Sequence, residues 1–280
     1  MARQEPFWQR IRHKYYAVPP EHGAWIWWIG PFAIGAAAGQ TLSVDLLMLA
    51  ATALAAYLLR QPMTMTVKVL SGRRGRGDLA PSVFWAWVYS VTIAAGVVGL
   101  VWLGHVRILI LALPGVPVFA FHLWLVSRKE ERGQLGIELV ASGVLALTAP
   151  AAYWVCDGPY FGQASLLWCL TWLQSAASIR HVYLRLEQRQ MKTPPDVKSR
   201  WKMGVIPLLY HTSGAVFSAI LAATQLVPWL VPAAFLLTLA DGLHSVAKPP
   251  VGYKPSRIGI RQLVISTAFA VLMIIAYHSR

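Results

Sequence analysis

Nine apolar stretches of similar length divide this sequence, and short polar segments separate them. Each stretch is about long enough to cross a membrane, because an α-helix rises about 1.5 Å per residue and the hydrocarbon core of a bilayer is about 30 Å thick. The pattern predicts an all-α, polytopic membrane bundle of about nine transmembrane helices. The predicted spans are 23–40, 43–60, 82–104, 107–126, 135–155, 160–179, 204–223, 226–246 and 259–278.

The basic residues lie on one side of this predicted topology. Of the 25 Lys and Arg residues in the 280-residue chain, 23 lie on one side of the predicted membrane, in the segment before the first span and in those between spans two and three, four and five, six and seven, and eight and nine, with the adjoining span ends included. Cytoplasmic segments carry the Lys and Arg excess, which predicts a cytoplasmic N-terminus in a multi-pass membrane protein. The same bias explains the net charge of +14, so membrane lipids are the predicted partners and nucleic acid is not.

Composition leaves little sequence for a soluble domain, since 56% of the residues are apolar and 13 are tryptophan. We predict a basic cytoplasmic segment over 1–22 and a single transmembrane domain over 23–280. The two cysteines, Cys156 and Cys169, have no metal-like spacing, and their expected depths differ. The sequence therefore supports neither a disulfide nor a metal site, and it assigns no cofactor.

Two local patterns predict how the helices pack. Gly35 and Gly39 form a small-xxx-small pair in the first span, which favours close packing against another helix of the same chain. Prolines within the spans predict kinks that widen the bundle locally. These prolines are Pro114, Pro117, Pro150, Pro207 and Pro232.

Ionisable residues inside or at the ends of the spans are the most informative, because a charge in lipid costs about 2.5–3.5 kcal/mol even on lenient scales. In the predicted topology they lie in the cytoplasmic half of the membrane, which predicts a polar cavity open to the cytoplasm. The cavity and ligand candidates are Glu21, His22, His122, Glu138, Arg180, His181, His211, Asp241 and His244.

Glu138 and His211 are the strongest of these candidates, because both interrupt apolar runs and a buried acid needs a partner. We expect Glu138 or Asp241 to pair with Arg180 or His211 across the cavity. The sequence names no catalytic residue.

Some of the other candidates have simpler interpretations that the sequence leaves open. His22 and His181 are equally consistent with interfacial side chains whose tips reach water. Asp241 and His244 lie three residues apart on one helix face, so a pair with each other or with Lys248 would explain them without a ligand.

The segment 19–25, which reads Pro-Pro-Glu-His-Gly-Ala-Trp, resembles the N-terminal motif of the YwiC-like family of bacterial membrane proteins. The resemblance continues through the segments 137–140, 210–211 and 256–259, and so extends over nearly the whole chain. It implies a helical membrane architecture more than a particular reaction.

The arrangement of nine helices, with the longest cytoplasmic loops after helices two and six, also resembles the UbiA superfamily of intramembrane prenyltransferases. That resemblance implies a cytoplasm-facing cavity for an isoprenyl diphosphate and its acceptor, with Asp-rich motifs that hold Mg²⁺ near helices two and six. The corresponding segments here, 60–68 and 178–185, contain cations and no carboxylate. Because Mg²⁺ needs oxygen ligands, no catalytic residue of that superfamily can be carried over.

Basic side chains in the predicted loops after spans two and six could bind an anionic headgroup directly, because Arg forms bidentate pairs with phosphate. The positive-inside rule alone also accounts for them. These headgroup candidates are Arg60, Lys68, Arg73 and Arg185.

Three functional classes remain open. The first is a diverged UbiA-like protein that binds or acts on an isoprenoid or another anionic-headgroup lipid without the magnesium motifs. The second is a quinone-binding or haem-binding membrane protein, with His22, His122 or His211 as contacts. The third is an accessory or assembly subunit of a larger membrane complex. The sequence does not decide whether the protein is an enzyme.

Overall fold

A computed structural model describes residues 7–20, 25–131, 133–156, 158 and 160–279. These residues form helices and loops and contain no β-strand, which confirms the predicted all-α membrane bundle. The helices are α1 (Phe7–Ile11), α2 (Lys14–Ala17), α3 (Ile26–Gly39), α4 (Val44–Leu70), α5 (Leu79–Trp102), α6 (Ile108–Ala112), α7 (Gly115–Arg128), α8 (Leu135–Ala146), α9 (Thr148–Val155), α10 (Phe161–Gln188), α11 (Val197–Ala223), α12 (Val231–Ala247) and α13 (Pro255–His278).

Within the described residues, six helical segments are long and apolar enough to cross a membrane by length and composition. Two further helices, α3 and α12, are apolar but shorter. α10 has 28 residues and belongs to neither group, because one of its faces is polar. The six segments are Val44–Leu70, Arg76–Trp102, Ile108–Arg128, Leu135–Val155, Val197–Ala223 and Pro255–His278.

Two helices extend beyond their predicted ends and take in residues that were expected in loops. α4 continues to Leu70 rather than ending near residue 60, and α10 continues to Gln188 rather than ending near residue 179. The added turns of α10 are rich in Arg, Leu, Glu and Gln, which are good helix formers despite their polarity. The basic residues that lie on helices as a result are Arg60, Lys68, Arg180 and Arg185.

The chain divides into two compact units. The first unit comprises residues 1–22 and 43–137 and contains α1, α2 and α4 to α7. The second unit comprises residues 23–42 and 138–280 and contains α3 and α8 to α13. Of the three boundaries between the units, 22/23 coincides with the predicted start of the transmembrane domain, and 42/43 and 137/138 fall within the stretch predicted as that single domain.

The N-terminal segment is part of the first unit. Side chains of α4 and α5 donate hydrogen bonds to backbone carbonyls of this segment and hold α1 and α2 in place. The three bonds are Trp85 Nε1 to Ile11 O (2.8 Å), Gln61 Nε2 to Tyr15 O (2.8 Å) and Tyr89 OH to Ala17 O (3.1 Å). These contacts stabilise backbone groups that a short helix leaves unpaired at its end.

Glycines bring α3 into close contact with α9 in the second unit. A Cβ added at Gly35 would overlap the backbone of Ala149, and one added at Gly39 would overlap the side chain of Cys156. The small-xxx-small pair therefore packs within the chain, as predicted. Cys156 and Cys169 are both free thiols.

Prolines coincide with two of the helix interruptions. Pro114 lies between α6 and α7. A proline also removes the hydrogen bond to the residue four positions earlier, and for Pro150 that residue is Ala146, where α8 ends. α11 continues through Pro207, and Pro232 lies in the first turn of α12, so these two prolines do not break a helix.

We expect the substitution Gly35→Ala to destabilise the second unit, because the new Cβ would meet main-chain atoms of Ala149 that cannot rotate away. Overpacking of this kind typically costs about 1–3 kcal/mol. Thermal unfolding in detergent should show a lower midpoint for the variant. Gly136→Ala is a matched control, since nothing lies within 4 Å of its added Cβ. Equal midpoints for the two variants would contradict the close α3–α9 contact.

Candidate functional site

α10 buries polar side chains along one face. They recur at spacings of three and four residues, which keeps them on one side of a helix. The set spans 18 residues, or about 26 Å along the helix axis. We call it the polar stripe, and its members with their exposed fractions are Thr171 (2%), Gln174 (6%), Ser178 (1%), His181 (2%), Arg185 (4%) and Gln188 (0%).

The polar stripe faces the other helices of the second unit. α11, α12 and α13 all pack against α10, and Gln262 on α13 donates a hydrogen bond from Nε2 to Ser178 Oγ at 2.6 Å. Polar side chains in a membrane helix normally point into the bundle, because exposing them to lipid is unfavourable. The stripe is therefore an internal polar surface.

Side chains from four helices meet at His181. Its ring packs edge-on against the ring of His211 on α11, with centroids 5.5 Å apart and planes at 80°. On α12, Asp241 Oδ1 accepts hydrogen bonds from Nε (2.9 Å) and Nη2 (2.5 Å) of Arg261 on α13. His181 Nε2 lies 3.7 Å from Asp241 Oδ2. Arg185 interacts electrostatically with Asp241 and Arg261. We call these five residues the polar centre.

Several buried atoms of the polar centre have no hydrogen-bond partner among the described residues. They are both ring nitrogens of His181, both ring nitrogens of His211, and Nε and Nη1 of Arg185. An unsatisfied buried polar group costs about 1–3 kcal/mol, and a charged one costs more. The polar centre therefore contains donors and acceptors that its own side chains do not use.

The permanent charges of the polar centre do not balance. It contains two guanidinium groups, on Arg185 and Arg261, and one carboxylate, on Asp241. Arg261 binds that carboxylate and remains 36% exposed in its side chain, while Asp241 is 7% exposed. The deeply buried Arg185 supplies the excess positive charge. A site of this kind attracts an anion, because a buried cation is stable only with a compensating charge.

Glu138 and Asp241 have partners that differ from those expected. Tyr183 donates a hydrogen bond from its hydroxyl to Glu138 Oε1 at 2.8 Å, and both residues lie away from the polar stripe. Asp241 binds Arg261 rather than Arg180, and its interaction with His211 is electrostatic without a hydrogen bond. The sequence could not show this, because the partner depends on how α12 and α13 are rotated about their axes.

The remaining cavity candidates lie in different places. Arg180 is half-buried next to the polar stripe, and its Nε atom has no hydrogen-bond partner among the described residues. His244 is exposed on α12 and does not join the polar centre. His122 lies on α7 in the first unit. Glu21 and His22 lie outside the described residues.

Two of the headgroup candidates form ion pairs with one carboxylate of the first unit. Glu131 accepts hydrogen bonds from Arg73 at 2.8 and 3.1 Å, and it lies 3.4 Å from Lys68 Nζ. Arg73 also donates to the backbone oxygen of Val126 at 2.6 Å. These hydrogen bonds from Arg73 lower the pKa of the Glu131 carboxyl from 4.5 to about 2. Lys68 and Arg73 thus tie α4 to the end of α7, and Arg60 is half-buried on α4.

Sequence reasoning missed part of the site. It placed the end of the sixth span before Arg180, so it did not relate Gln188 or Arg185 to Gln174. The signal was present as polar residues repeating every three or four positions from 171 to 188. In the described part of the chain, no group of three or more His, Cys, Asp or Glu side chains could hold a metal ion.

The apolar helices and the internal polar stripe define a polytopic integral membrane protein with a buried polar site in its second unit. Residues 18–153 match the family described as YwiC-like protein. This match confirms the resemblance to the YwiC-like family at residues 19–25 and 137–140. The match ends before α10, so it includes neither the polar stripe nor the segments 210–211 and 256–259. No curated protein and no solved structure matches the chain.

Glu131→Gln should destabilise the first unit in a pH-dependent way. Because the folded-state pKa of Glu131 is lowered from 4.5 to about 2, the carboxylate contributes its full stabilisation above about pH 4.5 and loses it as the pH falls towards 2. The difference in thermal midpoint between wild type and variant should therefore be largest near neutral pH and should disappear in acid.

Glu130→Gln is the matched control for this experiment, because Glu130 is the exposed neighbour of Glu131. It removes the same charge from the same loop and should leave the midpoint unchanged across the pH range. A similar effect of both substitutions would show that the loop's net charge, rather than the contact with Arg73, stabilises this unit.

Proposed function

We propose that this membrane protein binds the anionic headgroup of an isoprenoid or similar lipid at the polar centre of its second unit. The observation that carries the proposal is Arg185, which is 4% exposed and has two guanidinium nitrogens without a hydrogen-bond partner among the described residues. A phosphate or carboxylate would supply both the missing negative charge and the missing acceptors.

The two histidines add hydrogen-bonding capacity beside Arg185. A neutral imidazole has one donor and one acceptor nitrogen, so the ring pair of His181 and His211 can donate to an anionic oxygen and accept a hydrogen bond from a hydroxyl group. Asp241 holds Arg261 by two hydrogen bonds, which fixes a second guanidinium at the edge of the centre. Because the Arg261 side chain is partly exposed, a ligand can enter the polar centre beside it.

An apolar tail on the ligand is favoured by the surroundings of the polar centre. The helices that enclose it carry large exposed apolar side chains suited to contact with lipid. An amphipathic molecule in the bilayer can therefore bring its headgroup to Arg185 while its tail stays in hydrocarbon. Examples of these side chains are Leu209 on α11, Leu236 on α12 and Ile260 on α13.

Binding through cations explains the departure from the UbiA pattern. The segments 60–68 and 178–185 provide no carboxylate for Mg²⁺, whereas Arg185 offers a direct contact to a phosphate. The isoprenoid nature of the tail follows from the resemblance of the helix arrangement to the UbiA superfamily. The Lys and Arg distribution and the bacterial family favour the inner membrane, with the polar centre in its cytoplasmic half.

Arg185→Gln should weaken the binding of geranylgeranyl phosphate by roughly tenfold or more, because a hydrogen bond to a charged group contributes about 1.5–3 kcal/mol. Binding can be measured by native mass spectrometry of the protein in detergent. Geranylgeraniol has the same chain without the phosphate, and its binding should not change. Lys202→Gln removes one charge from an exposed position on α11 and should bind the phosphate like wild type.

Thermal stability provides a second test of the same variant. Without ligand, Arg185→Gln should unfold at a higher temperature than wild type, because it removes a buried and uncompensated charge. With geranylgeranyl phosphate added, wild type should gain more stability than the variant. Equal affinity of wild type and Arg185→Gln for the phosphate would rule out the proposed site.

A further inference from the structure

A second candidate site is a groove enclosed by α3, α10 and α13 in the second unit. Its walls are mainly apolar and include Trp27, Ile34 and Phe269. The enclosed volume is about 20 Å³. Since one water needs about 10–15 Å³, this space accommodates one hydroxyl group, and an attached chain would lie along the open side of the groove.

Gln174 forms the polar end of this groove. Its side chain is 6% exposed, and neither its amide nitrogen nor its amide oxygen has a hydrogen-bond partner among the described residues. Both groups are buried, so leaving them unpaired is unfavourable. Gln174 lies seven residues before His181, about 10 Å along α10, and thus on a different part of the stripe from the polar centre.

The hydroxyl-bearing side chains of the groove already form hydrogen bonds. The hydroxyls of Thr171 and Ser175 donate to carbonyl oxygens of their own helix at 2.7 and 3.0 Å. Ser266 accepts from Gln262 at 3.4 Å. The residues that line the groove include no charged side chain. The amide of Gln174 therefore determines which polar group binds there.

We propose that this groove binds the hydroxyl headgroup of a neutral lipid. A hydroxyl both donates and accepts, so one such group satisfies Oε1 and Nε2 of Gln174 together. An ether or carbonyl only accepts and leaves Oε1 unpaired. A phosphate or carboxylate would enter the groove without a cation, at a high desolvation cost. This proposal rests on the groove and on Gln174, and it does not depend on the function proposed for Arg185.

The test compares 1-hexadecanol with its methyl ether, which has the same chain but no donor. Native mass spectrometry of wild-type protein in detergent should show saturable binding of the alcohol, roughly tenfold tighter than binding of the ether. Gln174→Leu keeps the size of the side chain and removes the amide, so the preference for the alcohol should disappear. Arg185→Gln should bind the alcohol like wild type.

Gly30→Ala tests the groove itself without disturbing the fold. A Cβ at Gly30 would lie 3.7 Å from the Cβ of Ala270, which is ordinary van der Waals contact. The added methyl group should narrow the groove and weaken alcohol binding by roughly tenfold. Gly162→Ala is the matched control, because it makes the same change in a helix with nothing within 4 Å of the new Cβ, and it should bind like wild type.

Three results would overturn the proposal for the groove. They are the absence of saturable alcohol binding to wild type, equal binding of the alcohol and the ether, and unchanged alcohol binding by both Gly30→Ala and Gln174→Leu. The first result would indicate that Gln174 is satisfied by water alone. None of them would affect the phosphate binding assigned to Arg185, so the failure of one site is distinguishable from the failure of the other.

Discussion

Lipid cannot form hydrogen bonds with an amide, an imidazole or a guanidinium, and this constraint determines the arrangement of the second unit. α10 carries all three groups on one face, from Gln174 to Arg185. The helix can lie in a bilayer only when other helices cover that face. The positions of α11, α12 and α13 follow from this requirement. The ion pair between Asp241 and Arg261 then joins the two helices farthest along the chain.

Small residues allow the helices that cover the polar face of α10 to pack closely against each other. On α11, a Cβ added at Gly214 would lie 2.7 Å from the ring of Phe235, and on α12 a Cβ added at Gly242 would lie 3.0 Å from the ring of His211. With almost no driving force from water inside a membrane, helices associate through such close packing and through internal hydrogen bonds. The same contacts that hold α11 to α12 also fix the orientation of His211 beside His181.

The sequence predicted the helical membrane architecture because the length of each apolar run matches the length of helix that crosses a bilayer. It did not predict the ends of α4 and α10, because polar residues at 60–61 and 180–181 interrupt the apolar runs while both helices continue. It could not separate Asp241 from His244, which are three residues apart, since the rotation of α12 leaves one buried and the other exposed. The sequence could not predict the contact between Arg73 and Glu131 either, because it joins loops far apart in the chain.

The polarity of α10 also bears on how the protein is made. A segment enters the membrane from the translocation machinery by itself when its own residues favour hydrocarbon over water. α11 and α13 are apolar enough to cross a membrane by themselves, whereas α10 is not. We therefore expect it to be retained near the machinery until later helices emerge and shield its polar face. Biogenesis of this protein would then be a cooperative event, in which the helices from α10 to α13 are integrated as a group rather than one by one.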